Sequence, residues 1–160
     1  MSSPDLPAPA TVRGVAPALI YNRMAAVRAY ENILQNASLD QLHALRIEFK
    51  KLRYAVEFFR EVLGEESREV IQGLKKVQDH LGDLNDARVA CQLISEFLAG
   101  WELKQELLPL SERRSPKPVV DYLAAKHAER HHLMQTFPKT WEAFNSLQFR
   151  KSLANAIAVI

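Results

Sequence analysis

Apolar residues recur every three or four positions along most of the chain, which is the spacing of amphipathic helices. The pattern is clearest from Gln41 to Gly64, where no proline and no internal glycine interrupts it. At 100° per residue, one apolar strip on this predicted helix covers an arc of roughly 100°. Its members are Leu42, Leu45, Phe49, Leu52, Val56, Phe59 and Leu63.

A set of basic side chains, called the basic row below, lies between that strip and a second apolar strip of Ile47, Tyr54 and Phe58. On the same arithmetic the row spans an arc of about 80° and roughly 15 Å of helix. A solvated charged face normally lies opposite a single apolar face, so this placement predicts a groove or an inner channel. The row consists of His43, Arg46, Lys50 and Arg53.

Crowded cations repel one another, and an anion bound between them would offset that repulsion. Arginine presents a planar fork that suits phosphate, whereas lysine acts as a point charge. His43 would contribute more as the pH falls and its ring becomes charged. The length of the row favours an extended polyanion. The alternative for the whole row is a solvated basic surface. For the Arg53 end alone, the alternative is an ion pair with Glu57 one turn away.

The segments before this helix and after it also have helical spacing, and none alternates as a strand does. A first helix is predicted over Val15–Gln35. Its Arg23 lies within the apolar arc, either directed at the groove or snorkelling from the helix edge. Ser38 or Asp40 is the expected N-cap of the next helix.

Three later positions are expected to interrupt helices. Gly82 is expected either to end one helix or to allow close packing within a single kinked helix. A kink or short break is preferred, because apolar spacing resumes at once through Leu84, Val89, Leu93, Ile94 and Phe97. Gly100 is expected to end that element, and Pro138 to kink or stop a later helix. The sequence predicts an all-α fold with a bundle of four to five long helices.

Composition limits the classes of function. The 160 residues suffice for one domain, predicted over residues 15–160 and preceded by a flexible leader, residues 1–14, rich in proline and alanine. The net charge is only +2, so an anion site depends on local clustering. Cys91, the only cysteine, excludes an internal disulfide and fits a reducing cytoplasm. No apolar run approaches the ~20 residues of a membrane span.

Two stretches, LHALRIEFKKLRYAVEFF and LKKVQDHLGDLNDARVA, resemble the CHAD domain, the conserved histidine α-helical domain. They have the order and spacing of that family, and the resemblance covers about Pro17 to Phe149. The LGDLND form is similar to the C-terminal half of the domain. The matching positions are His43, Arg46, Lys50, Leu52, Arg53 and Tyr54 in the first stretch and Leu74, Gln78, Leu81, Gly82, Leu84, Asn85 and Asp86 in the second.

The resemblance implies a helical bundle that binds inorganic polyphosphate in a basic groove, as a non-enzymatic targeting or accessory module. It implies phosphate contacts from the basic row and support from Gln78 and Asn85. Arg23, Lys126 and Arg130 are added as cations that would extend the basic surface. No cofactor or metal is expected, and the expected location is the cytoplasm, at polyphosphate granules.

The sequence departs from the family in one respect. CHAD domains usually have two related halves, each with its own helix of histidine and arginine, and this chain has one. A half-domain of this kind is expected to expose an apolar face. Pairing with a second copy, or with a missing N-terminal half, is therefore expected.

Other functions remain as alternatives. A nucleic-acid-binding protein is disfavoured by the small net charge and by the lack of aromatic residues interleaved with the basic row. A phosphohydrolase would use Asp79, Asp83 and Asp86 with Mg²⁺, but helix capping explains those residues equally well. A structural helical module would dock the basic row on an acidic helix. A metal site on the histidines of residues 127–132 is disfavoured, because no HExxH pattern or neighbouring cysteine accompanies them.

Overall fold

The fold was analysed in a computed structural model, which describes residues 11–160. Five α-helices account for most of these residues, and the described part of the chain contains no strand. The prediction of an all-α bundle is confirmed. The helices are α1 (Val12–Arg28), α2 (Leu39–Phe59), α3 (Ser67–Glu106), α4 (Lys117–Phe144) and α5 (Leu147–Ala158), with short 3₁₀ turns at Glu31–Asn36 and Leu110–Glu112.

Helix α1 begins three residues earlier than the pattern predicts. Thr11 is its N-cap, and the Thr11 hydroxyl accepts a hydrogen bond from the Gly14 N–H at 3.2 Å. The helix ends at Arg28, and the chain continues as a 3₁₀ turn where the prediction extended it to Gln35. Residues 1–10 of the expected leader lie outside the described residues.

Helix α2 begins with the predicted Ser38 cap. The Gln41 N–H donates to the Ser38 hydroxyl at 3.1 Å, and the Gln41 side chain accepts from the Ser38 N–H at 2.9 Å. This reciprocal pair is a capping box, which satisfies donors that a helix start otherwise leaves free. The first apolar strip is buried along its whole length, as predicted.

Helix α3 is continuous over 40 residues, so the expected break at Gly82 and the expected end at Gly100 are wrong. Helix α4 likewise continues through Pro138, which does not stop it. A glycine inside a helix costs only about 1 kcal/mol relative to alanine. Packing of the neighbouring apolar residues exceeds that cost, and α3 packs most extensively on α4 and then on α2.

The core joins α2, α3, α4 and α5 through aromatic side chains. The Phe49 ring of α2 lies edge-on to Phe144 at 4.9 Å and to Trp141 at 6.1 Å, measured between ring centroids. Phe149 of α5 packs against Phe144 at 4.9 Å. Edge-to-face arrangements of this kind add to the free energy of burial. They fix α4 and α5 against the side of α2 that does not carry the basic row.

His80 forms the polar connection between α3 and α4. Its Nε2 lies 2.8 Å from the Leu133 carbonyl oxygen, and its Nδ1 lies 3.0 Å from the Thr140 hydroxyl. A carbonyl only accepts, so Nε2 carries the proton and donates it, and in the neutral ring Nδ1 accepts from Thr140. His80 therefore has a structural role on the side of α3 that packs against α4. None of the described helices is long and apolar enough to cross a membrane.

Candidate functional site

All members of the basic row are half-buried, at the edge where α2 meets α3. The contacts of two members define that edge. His43 lines a small cavity with Leu84, Asn85 and Arg88 of α3. Arg46 extends towards Gly82, also on α3. The row therefore follows one side of the α2–α3 pair, and Asn85 lies beside it as a supporting residue.

Gly82 leaves room for the Arg46 guanidinium between the two helices. A Cβ built on Gly82 would stand 3.6 Å from Arg46 Nε, which is ordinary van der Waals contact. Alanine therefore fits at position 82, but a longer side chain would occupy the volume that the guanidinium fills. The glycine that the sequence pattern treats as a helix breaker instead provides space for a cation.

Substitution of Gly82 tests this role. We expect Gly82→Ala to stabilise the fold by about 0.5–1 kcal/mol, because alanine favours helix and meets no clash. Gly82→Leu is expected to displace Arg46 and to weaken any anion binding that Gly82→Ala leaves intact. Thermal unfolding and anion titration of both variants measure the two effects. Equal anion affinity in the two variants would contradict the role given to the glycine.

Several polar atoms at this edge are buried without a hydrogen-bond partner among the described residues. They are His43 Nδ1, Arg46 Nε, Arg53 Nε and the side-chain oxygen of Gln78. A buried polar group left unpaired costs about 1–3 kcal/mol, and native structures tolerate few of them. Three of these atoms belong to the basic row, so unmet hydrogen-bonding capacity concentrates there. Gln78 can present its amide N–H to the same ligand by turning its side chain.

His43 has one free ring nitrogen for a ligand. A protonated Nδ1 would hold a buried N–H with no acceptor among residues 11–160, so the neutral ring fits best with its proton on Nε2. That tautomer donates through Nε2. The stronger contact at low pH stays a prediction.

Arg53 is partly neutralised at the far end of the row. Its Nε lies 3.5 Å from a Glu57 carboxylate oxygen, close enough for charge attraction but outside hydrogen-bond geometry. Its guanidinium carbon also lies 5.2 Å from the centroid of the Tyr54 ring. The alternative of an Arg53–Glu57 pair is confirmed. Lys50 forms no ion pair with the residues that the structure describes.

The outer predicted cations lie on α1 and α4, and their part in the site stays a prediction. Lys126 of α4 pairs with Glu129 at 3.0 Å, and this contact holds the pKa of Lys126 above its ordinary value. Arg130 lines a cleft of about 440 Å³ with Leu39 and His131, and Leu39 also lines the small cavity beside His43. Arg23 is half-buried on α1.

Arg88 is a neighbour of the site that the sequence analysis missed. It lies one turn beyond Asn85 on α3, lines the cavity beside His43, and forms an ion pair with Asp40 in the first turn of α2. Its i+3 spacing from Asn85 is the signal that places both residues on one face. The pair connects α2 to α3 at the His43 end of the row.

The structure changes the expected shape of the groove. The first apolar strip of α2 is buried, but the second strip is exposed at Ile47, Tyr54 and Phe58. The basic row is therefore bounded by the core on one side and by an open apolar rim on the other. In a single chain it lines an open face, and the expected inner channel is not formed. Within residues 11–160, no group of three or more histidine, cysteine, aspartate or glutamate side chains is arranged to hold a metal ion.

Comparison with known proteins gives one match. A family model described as the CHAD domain matches residues 2–95, which is more than half of the chain. The match contains all of α2 and the first part of α3, and so the whole basic row with Gln78 and Asn85. No curated protein and no solved structure matches the chain. The resemblance drawn from the two sequence stretches is confirmed.

Proposed function

Because the chain belongs to the CHAD domain family, we propose that it binds inorganic polyphosphate on the open face of α2, as a module without catalytic activity. The family is understood to bind polyphosphate through basic helices of this kind. The observation that carries the proposal is the cluster of buried, unpartnered nitrogens in the basic row. Phosphate oxygens are acceptors, and they match the guanidinium, ammonium and His43 Nε2 donors of the row.

Each member of the row has a distinct part in the proposed contact. Arg46 and Lys50 supply the main charge, since neither forms an ion pair with a described residue. His43 donates one hydrogen bond through Nε2. Arg53 contributes less, because Glu57 competes for it. Gln78 and Asn85 hydrogen-bond the chain of phosphates from the α3 side.

The open apolar rim beside the basic row leaves space for a linear ligand along α2. A pocket for a single phosphate would surround it, whereas the basic row is half-buried along about 15 Å of α2 and open on one side. Successive phosphates of a polymer can then contact successive turns of the helix. Location at polyphosphate granules would follow from such binding and belongs to the same proposal.

Calorimetric titration of the intact chain with polyphosphate across a series of salt concentrations tests the proposal. Each neutralised phosphate releases bound counterions, so the logarithm of the association constant should fall linearly with the logarithm of salt concentration. For three or four contacts the expected slope is about −2 to −3, if each contributes ~0.7 as on single-stranded nucleic acid. A folded chain that shows no binding at low salt would refute the function.

Two further arms of the experiment separate the alternatives. Single-stranded nucleic acid that competes as well as polyphosphate at equal phosphate concentration would indicate a nucleic-acid-binding protein. Release of orthophosphate in the presence of Mg²⁺ would indicate a hydrolase. The exposed apolar strip beside the row is the observation that favours a structural module. If the chain binds no anion at all, a structural module becomes the preferred function.

A further inference from the structure

No element within residues 11–160 covers one side of the far half of α3. Helix α2 has 21 residues and α3 has 40, which correspond to about 31 Å and 60 Å of helix. Asp40, in the first turn of α2, forms an ion pair with Arg88 of α3. Because α2 begins at this point, it does not lie beside the residues of α3 that follow Arg88. Between Arg88 and Glu106, α3 keeps α4 as a neighbour but has lost α2.

Before Arg88 one exposed side of α3 carries the charged residues Lys75, Asp79 and Asp86; beyond Arg88 the same side is apolar, and this apolar surface is called the distal stripe below. Its residues lie within an arc of about 120° over roughly 27 Å of helix. Cys91, Ile94, Leu98 and Trp101 of the same segment are less exposed and face the α4 side. Contiguous exposed apolar surface of this length marks an interaction site more often than chance. The stripe consists of Val89, Leu93 (59% exposed), Phe97 (57%), Leu103 (66%) and Leu107 (86%).

Gly100 lies at the centre of the distal stripe. Nothing comes within 4 Å of a Cβ built on it, so no contact within the chain requires a glycine there. A glycine in the interior of an exposed helix costs about 1 kcal/mol relative to alanine. Its benefit is the close approach of another backbone, as at the crossing point of two helices.

Four of the five stripe residues are arranged symmetrically about Gly100. Phe97 and Leu103 lie three residues to either side of it, and Leu93 and Leu107 lie seven residues to either side. Glu96 and Lys104 lie four residues to either side, with opposite charges. An antiparallel copy of α3 crossing at Gly100 would bring each of these residues to the same height as its counterpart in the partner helix. Such a surface is complementary to itself, as the interface of a two-fold symmetric dimer requires.

We propose that the distal stripe is a homodimer interface in which two α3 helices cross antiparallel at Gly100. Phe97 of one copy packs on Leu103 of the partner copy, and Glu96 pairs with Lys104 across the same crossing. In each copy α4 packs on the other side of α3, so the α3 and α4 helices of the two copies form a four-helix arrangement that buries both stripes. This interface involves no member of the basic row and does not depend on the proposed function.

Reversal of the paired charges tests both the dimer and its register. The parent chain is expected to sediment as a dimer, and Glu96→Lys or Lys104→Glu alone to raise the dissociation constant about tenfold. The dyad repeats each contact, so two attractive pairs become two repulsive ones. The double variant Glu96→Lys/Lys104→Glu restores attraction and is expected to return the parent dissociation constant.

Glu102→Lys is the matched control, because it makes the same charge change in the same segment on the opposite side of α3. It should leave the dimer unchanged. Circular dichroism of each variant verifies that α3 remains helical. A parent that is monomeric at every concentration tested would overturn the proposal, as would a dimer that the single reversals weaken no more than Glu102→Lys does.

Cysteines at the crossing give an independent measure of register. Cys91, the only natural thiol, is first replaced with alanine, and Glu96→Cys and Lys104→Cys are then introduced together, which leaves Gly100 in place. On the proposed dyad the thiol at position 96 of one copy lies close to the thiol at position 104 of the partner copy, so mild oxidation is expected to give a covalent dimer. A cysteine placed at Ser111, away from the dyad, should not form one. Equal cross-linking in the two variants would overturn the register.

Discussion

Replacing Arg46 and Lys50 together with alanine is expected to reduce the affinity for polyphosphate at least 100-fold, or about 3 kcal/mol. Hydrogen bonds to charged groups contribute about 1.5–3 kcal/mol each, and the double variant removes the two cations of the row without an ion-pair partner in the described chain. Calorimetry at low salt measures the loss. The salt slope should decrease as well, because fewer counterions are released.

Lys51→Ala/Arg60→Ala is the matched control for that variant. It removes the same two charges from α2 and its C-cap, but both side chains are exposed and lie outside the basic row. Affinity should fall only slightly in the control. Comparable losses in the two double variants would show that binding depends on total charge, and the site described above would then be wrong. Arg53→Ala alone should have a smaller effect than Arg46→Ala, since Glu57 already engages Arg53.

Phe49→Ala is expected to destabilise the fold by about 3–5 kcal/mol, the range for removal of a buried aromatic ring. Phe49 is fully buried and contacts both Trp141 and Phe144, so its loss leaves a cavity where α2 meets α4. Urea unfolding monitored by circular dichroism measures the change in unfolding free energy. Because total stability of a domain is about 5–15 kcal/mol, this loss corresponds to at least about a fifth of it.

Phe58→Ala on the same helix provides the comparison. Phe58 is 78% exposed and packs only along the edge of Phe59. Its removal should change the unfolding free energy by about 0.5 kcal/mol or less, as at other surface positions. A large loss in Phe58→Ala would mean that the exposed strip of α2 is covered in solution.

Much of the fold follows from the sequence, and the errors in predicting where helices are interrupted have a physical reason. Local spacing identified the buried strip of α2, the Ser38 cap and the all-α class. The expected break at Gly82 and the expected end at Gly100 were wrong, because the packing of α3 against its neighbours outweighs a local cost of about 1 kcal/mol per glycine. The expected stop at Pro138 was wrong as well, since α4 continues through it. Propensity is a weak guide wherever tertiary contacts decide.

The spacing of apolar residues also could not show which face of α3 is covered. Leu93 and Phe97 lie five turns beyond Lys75 and Asp79, on a side of α3 that is exposed there as well. The periodicity marks residues of the distal segment as apolar, but it does not show whether a neighbouring element covers them.

The candidate site was predicted as a set of residues but not as a set of contacts. The 3.6-residue period placed His43, Arg46, Lys50 and Arg53 on one side of α2. Whether each cation is paired depends on residues distant in sequence, as with Arg88, which approaches α2 only in the folded chain. The outer cations of α1 and α4 stay a prediction, since helical spacing within one element does not show how cations on different helices lie relative to the row.

The unequal lengths of α2 and α3 have a consequence for how this protein can change over evolution. Beyond Arg88, α3 packs against α4 as a helical hairpin. The aromatic core around Phe49 and Trp141 lies outside this hairpin. Whole turns can therefore be gained or lost from the hairpin without disturbing that core, provided that both of its antiparallel arms change together. Selection can therefore change the length of α3 and α4 beyond Arg88 without changing the stability of the core.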